Sequence, residues 1–183
     1  AARYPQLPVH FYSYHEALKE YAGLDLISCS EQDIAALGCK LANADLQLDR
    51  DGWLDIIMSH KVEPALPRNC LVFIDRFPAS QAALAKLLPD ADGIDWAQRF
   101  EVFFNGMELA NGYDELLDAS IQRQRFEQEL EGTGRPCDER LLAALEHGLP
   151  DCSGVALGLD RLLLHIGNLD SIDQVLSFDW HRA

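Results

Sequence analysis

Apolar residues recur at helical spacing in some stretches of this chain and alternate in others, and polar caps and glycines mark the changes. Ser13-x-x-Glu16 has the spacing of a capping box and predicts a helix to about Tyr21, stopped by Gly23. Ser30 predicts a second, short helix over Glu31 to Leu37, closed by Gly38 at a C-cap position. From Asp51, the residues Trp53, Leu54, Ile57 and Met58 follow a core-facing helical stripe that Pro64 limits. Leu71-Val-Phe-Ile74 is a short apolar run that reads as a buried strand. Phe77-Pro-Ala-Ser-Gln-Ala82 leaves its end as a loop, with Ser80 as a helix cap and Ser80 and Gln81 as modest binding candidates. Pro89 to Asp95 reads as a polar turn.

The strongest local signal is Asn105-Gly106, flanked on both sides by alternating apolar residues, which predicts a two-residue β-hairpin because both turn positions need positive φ. With that turn, Phe100, Val102, Phe104, Met107 and Leu109 share one face, and Glu101, Phe103, Glu108 and Ala110 share the other. Two carboxylates then lie on diagonal positions, roughly 7–8 Å apart at the backbone. A hard divalent cation with phosphate oxygens relieves such a pair; a solvated sheet face also accommodates it.

Beyond Gly112 the pattern predicts a largely exposed helix from Asp118 to Glu131, carrying Arg125, and a loop over Gly132 to Pro136. A helix from Glu139 to His147 follows, with Leu141, Leu142 and Leu145 inward and Gly148 as its stop. A strand through Gly154 then enters a helix whose inner stripe is Leu159, Leu162, Leu163 and Ile166. Arg161 falls off that stripe, in a first helical turn that favours anions, where a bound phosphate would compensate its clash with the helix dipole; a surface arginine is the plain alternative. The run is neither a Walker loop nor G-x-G-x-x-G. Ser171 caps a last short helix, and Val175 to Phe178 are expected to return to the sheet.

Composition narrows the chemistry. The 183 residues are 48% hydrophobic and 25% charged, enough for a single globular domain over residues 1–183. Asp and Glu outnumber Lys and Arg by 30 to 15, a net charge of −15, which leaves no basic footprint for direct nucleic-acid binding. The five cysteines form no C-x-x-C pair and leave an odd one over, which argues against a zinc site or disulfide framework and points to the reducing cytoplasm. Cys29 and Cys39 are expected to be small buried fillers. No stretch reaches the length of a membrane span, and Ala1-Ala-Arg-Tyr-Pro5 carries neither a secretory core nor an initiator methionine, as in a processed terminus or a piece of a longer protein.

Taken in order, Glu101, Glu108 to Glu115, and Gly154 to Arg161 resemble the C-terminal half of a class II lysyl-tRNA synthetase catalytic domain. Phe77-Pro-Ala-Ser-Gln81, Glu108-Leu-Ala-Asn-Gly112 and Pro150-Asp-Cys-Ser-Gly-Val-Ala-Leu-Gly158 are similar to the shortened paralogues of that family that attach β-lysine to a lysine of elongation factor P. The resemblance implies an α+β fold, an antiparallel sheet flanked by helices, working as a homodimer in the complete protein. It implies that Glu101 and Glu108 hold magnesium on ATP, and that Gly158 and Arg161 also belong to the ATP site, Arg161 clamping the γ-phosphate. It implies further that Asn111 and Glu115 recognise the ammonium of lysine or β-lysine, that Tyr113 packs on its methylenes, and that Ala156 lies at the floor of the amino-acid pocket, where a lysyl-tRNA synthetase usually has glycine. The first two class II motifs have no counterpart here, so the chain is expected to be an incomplete, inactive part of the catalytic domain. A lysyl-tRNA synthetase and a noncatalytic dimerisation or regulatory module remain the alternatives.

Overall fold

A computed structural model describes residues 6–44 and 46–180. Residues 1–5, 45 and 181–183 lie outside the described residues. In chain order come β1 (Val9–Ser13), α1 (Tyr14–Ala17), α2 (Glu31–Ala42), α3 (Arg50–Ile57), β2 (Leu71–Pro78), β3 (Leu87–Pro89), β4 (Asp95–Phe104) and β5 (Met107–Asp114). Then follow α4 (Ala119–Leu130), α5 (Glu139–His147), β6 (Ser153–Leu157) and α6 (Leu159–Gly167). The strands form one sheet in the order β1-β2-β4-β5-β6, with β3 on β4. The fold class is therefore α+β, as expected. The sheet is mixed, because β1 and β2 are parallel, Val9 opposite Leu71 and Ser13 opposite Asp75. Parallel neighbours need a long crossover, and the helices between them supply it.

The chain divides into two compact units: Ala1–Asp75 with Glu101–Asn111 and Ala156–Ala183, and Arg76–Phe100 with Gly112–Val155. In the first, the Ser13 hydroxyl accepts from the Glu16 N–H at 3.1 Å while the Glu16 carboxylate accepts from the Ser13 N–H at 2.7 Å, the reciprocal capping box the spacing predicts. The helix continues as a π-type segment, Leu18–Ala22, to its stop at Gly23. Ser30 and Asp33 repeat the same device for α2. That helix does not end at Gly38. It runs to Ala42, and Asn43 at φ 49° supplies the left-handed cap. Gly38 serves packing: a Cβ there would stand 2.5 Å from Cε3 of the buried Trp53 on α3, so only glycine lets the helices meet. Leu18, Ile34, Leu54, Ile57, Ile74 and Phe103 are almost fully buried.

Two expectations fail at the end of this unit. The stripe on α6 faces outward, with Leu159 63% and Ile166 60% exposed. The packed side of that helix is the other one, where the His165 ring meets Phe104 at 5.0 Å and the short turn Ile172–Gln174 closes on it. Val175 to Phe178 form no strand; after Ser171 caps the Ile172–Gln174 turn the chain is irregular and Phe178 is exposed.

In the second unit, β3 pairs antiparallel with β4, Leu87 opposite Ala97. The intervening turn is organised by Asp90, whose carboxylate accepts from the Asp92 and Ile94 N–H groups and from the Trp96 indole. Ser80 caps no helix, because it sits inside the single turn Ala79–Gln81, whose N-cap is Pro78. Beside it the Arg99 guanidinium lies 4.3 Å from the Phe77 ring centre and donates to the Gln81 carbonyl at 3.0 Å. Arg125, expected on an exposed face, instead donates to the Ala83 and Ala85 carbonyls at 2.9 and 2.7 Å, and Gln122 one turn earlier is buried. Leu142 of α5 is buried as its stripe predicts. All five cysteines are free; Cys29 is half-buried, but Cys39 is exposed rather than a core filler. Among the described residues no helix is long and apolar enough to cross a membrane.

Gly38→Ala tests the helix contact. Propensity alone favours alanine by about 1 kcal/mol, whereas forcing a methyl against Trp53 is expected to destabilise by about 1–3 kcal/mol. The urea midpoint should fall; an unchanged or higher midpoint would show that α2 and α3 have room to spare.

Candidate functional site

The hairpin forms as its sequence dictates. Asn105 and Gly106 take φ of 52° and 76°, and the strands flanking them are β4 and β5. Its tip is fastened from outside: the Asn105 side-chain oxygen accepts from the Asn69 N–H at 2.7 Å, and Arg68 donates to the Asn105 and Pro64 carbonyls. Gly106 is required for this contact as well as for the turn, because a Cβ would lie 2.8 Å from the Glu63 carbonyl. The face that carries Glu101 and Glu108 is not a solvated sheet face: Phe103 between them in sequence is 0% exposed and Ala110 is buried. Both glutamates are partly accessible at the margin of that buried surface.

Arg161 is exposed, as a residue off the apolar stripe should be, but its guanidinium has partners. It is the third residue of α6, and its Nη1 donates to the Glu108 carbonyl at 2.8 Å and lies 3.5 Å from the Glu108 carboxylate. The junction behind it is fixed by the Gly158 N–H, which donates to the Leu109 carbonyl at 2.8 Å. A cavity of about 420 Å³ opens here, lined by Glu63, Met107, Glu108, Arg161, Leu164 and Ile172 among others. Burial, and after it the charges of Glu101 and Glu108, push the Glu63 carboxyl above the ordinary glutamate range, with His60 and Arg161 opposing.

Among the described residues no group of three or more His, Cys, Asp or Glu side chains is arranged to hold a metal by itself. Magnesium does not ask for such a cage, since it keeps several waters and is bound through one or two carboxylates together with substrate phosphates. Glu101 and Glu108, hard oxygen donors on adjacent strands, fit that donor set.

Of the remaining candidates, Asn111 and Ala156 belong to the first unit and Tyr113 and Glu115 to the second. Asn111 and Tyr113 are half-buried on β5, while Ala156 is exposed on β6, the last strand in the sheet order. Glu115 lies in a tight backbone setting: its N–H donates to the Cys152 carbonyl at 3.0 Å, and a Cβ on Gly154 would run into its Oε1. A Cβ on Gly112 would stand 2.6 Å from the Gly154 carbonyl, so two glycines let β5 and β6 approach closely enough to seat this carboxylate. Burial, then the neighbouring Asp114 charge, raises the Glu115 pKa above the ordinary range.

The family profile of class II tRNA synthetases (D, K and N) matches residues 6–181. The chain belongs to that family. Among curated relatives, it is 44% identical over 180 residues to an elongation factor P–(R)-β-lysine ligase of Hamiltonella defensa, covering 93% of this chain and 55% of the relative. It is 41% identical over 185 residues to the enzyme of the same name from Klebsiella pneumoniae, covering 96% of this chain and 56% of the relative. The chain thus spans about half the length of the curated relatives it matches.

Within this class II synthetase fold, sequence reasoning missed Glu63 and Lys86. Pro64 was legible only as a helix limit, and nothing in the helical period marked Glu63 as facing the hairpin carboxylates. Lys86 stands in a stretch without periodicity, and its partners Asp114 and Asp151 are distant in sequence.

A pH experiment checks the setting of Glu63. Its raised pKa means that the folded chain holds the proton more tightly than the unfolded chain, so Glu63 supports folding below the ordinary value of 4.5 and loses that contribution as pH rises through the raised value. Glu63→Gln should therefore raise the melting temperature at pH 7–8 by about 2–4 °C, with the gain vanishing toward pH 4. A pH-independent difference would place Glu63 outside the influence of its neighbours.

Proposed function

We propose that this chain is the C-terminal portion of a catalytic domain that uses ATP to activate lysine or (R)-β-lysine as an adenylate and joins it to a lysine of elongation factor P. The observation that carries the reading is the pairing of Arg161 with Glu108 beside the cavity they share with Glu63. One cation and a group of carboxylates converge there, a charge arrangement suited to a polyphosphate and its counter-ion. The names of the relatives support the same reaction class, and the net charge of −15 favours a protein acceptor over a nucleic acid.

In this reading the amino-acid carboxylate attacks the α-phosphorus of ATP and pyrophosphate leaves; the acceptor amine then attacks the adenylate carbonyl and AMP leaves. Magnesium, when bound, supplies neutralisation of phosphate charge. The protein contributes placement and electrostatics, with no covalent enzyme intermediate. Arg161, now parked on Glu108, turns to the γ-phosphate, and this frees the Glu108 carboxylate for the ion. The backbone at Gly158 fixes the start of α6 and with it the reach of Arg161. For the amino acid, the roles we assign are recognition of the ammonium to Glu115 and Asn111, cover of the methylenes to Tyr113, and the shape of the pocket floor to Ala156. A cytoplasmic homodimer is the form we assign to the complete enzyme.

Two measurements test this. The 183-residue chain alone should show no lysine- or β-lysine-dependent ATP–pyrophosphate exchange, and clear exchange would overturn its assignment as part of a site. In the complete enzyme, Glu108→Gln should lower adenylate formation at least about tenfold, roughly 1.4 kcal/mol of transition-state stabilisation, while the melting temperature without nucleotide stays level or rises. Near-normal turnover at ordinary magnesium would remove the hairpin from the mechanism.

A further inference from the structure

Lys86 occupies a position that the mechanism above does not use. Its main chain is fixed on both sides: its N–H donates to the Asp114 carbonyl and its carbonyl accepts from the Gln98 N–H, both at 2.9 Å. The ammonium group is therefore delivered to a defined place at the end of β5. There it donates to the Asp114 carboxylate at 2.7 Å and to the Asp151 carboxylate at 2.5 Å. Asp151 belongs to the loop that enters β6, one residue before Cys152, whose carbonyl accepts from the Glu115 N–H. A single cation thus ties the two segments that form the seat of Glu115. It also divides three neighbouring carboxylates unequally: two are paired with Lys86, and among the described residues no hydrogen bond or ion pair engages that of Glu115. The two hydrogen bonds push the Lys86 pKa up to about 12, so the cation is permanent at physiological pH.

We propose that Lys86 is a positioning residue for the amine-recognising end of the site, pairing with Asp114 and Asp151 so that Glu115 alone presents a free carboxylate to a cationic amine substrate. The proposal rests on the reading of Glu115 given above. Without Lys86, Asp114 and Asp151 repel each other, the loop before β6 loses its tether, and the uncompensated Asp114 drives Glu115 toward its neutral form, which pairs poorly with an ammonium.

Lysine-dependent ATP–pyrophosphate exchange by the complete enzyme separates the possibilities. Lys86→Met is expected to raise the KM for lysine at least about fivefold with kcat and the KM for ATP within about twofold, the signature of lost ground-state binding. Lys86→Arg should retain the parent KM, and adding Asp114→Asn to Lys86→Met should recover most of the loss, which no purely structural tether would allow. Lys86→Gln, which keeps a donor to Asp114 without the charge, replaces Lys86→Met if that variant does not fold. If Glu115→Gln raises the lysine KM while Lys86→Met leaves it unchanged, Lys86 has no positioning function and the amine reading stands. If Glu115→Gln itself leaves the lysine KM unchanged, the amine reading falls and Lys86 with it. A rise that Asp114→Asn fails to relieve overturns the charge argument.

Discussion

Much of the first unit depends on how the tip of the hairpin is held. A two-residue turn with both φ angles positive fixes which residues of β4 and β5 stand opposite each other, and a slip of one residue would send every side chain to the opposite face. The clasp made by Arg68 and Asn69 on Asn105 adds an outside constraint, since it binds the tip to the segment that ends the helical crossover. Glu63 lies on that same segment. The turn therefore sets the spacing of Glu101 and Glu108, and its clasp brings a third acid and the Arg161 cavity beside them.

The elements that were legible from sequence are those in which local chemistry and tertiary packing agree. The Ser13 capping box, the helix start after Ser30, the Asn-Gly turn, the α3 stripe and the α5 stripe are of this kind, and so is the α+β class. The misread positions are those where packing between distant residues decides. Gly38 looks like a helix stop, but its missing side chain accommodates Trp53. The apolar stripe of α6 marks an apolar face without saying whether anything in the described structure covers it. Arg125 reads as part of a largely exposed helix, because a sequence pattern records which face a residue occupies and not how far a long side chain reaches. Lys86 was invisible for a related reason: its two partners stand 28 and 65 residues away.

Charge is distributed unevenly in this acidic chain. Helix-start acids such as Asp33 and Asp118 are satisfied by backbone N–H groups within their own turns, and Asp90 by its own loop. Arg123 and Glu139 form a two-bond fork that joins α4 to α5. Among the described residues the carboxyls of Glu63 and Glu115 are held above the ordinary range, and in both burial is the leading cause, ahead of the neighbouring acids. Perturbed carboxylates of this kind concentrate where ligands bind.

The outward stripe of α6 has a colloidal consequence. Leu159, Leu163 and Ile166 give the first unit an apolar strip that can associate with another apolar surface, while the net charge of −15 opposes the approach of like molecules. These two forces respond differently to salt. Electrostatic repulsion shortens its reach to about 10 Å at 0.1 M ionic strength and about 3 Å at 1 M, whereas burial of leucine and isoleucine does not weaken. The dispersion of this chain is thus a property of its solvent as much as of its fold, with dilute buffer keeping the strips apart and concentrated salt letting them meet.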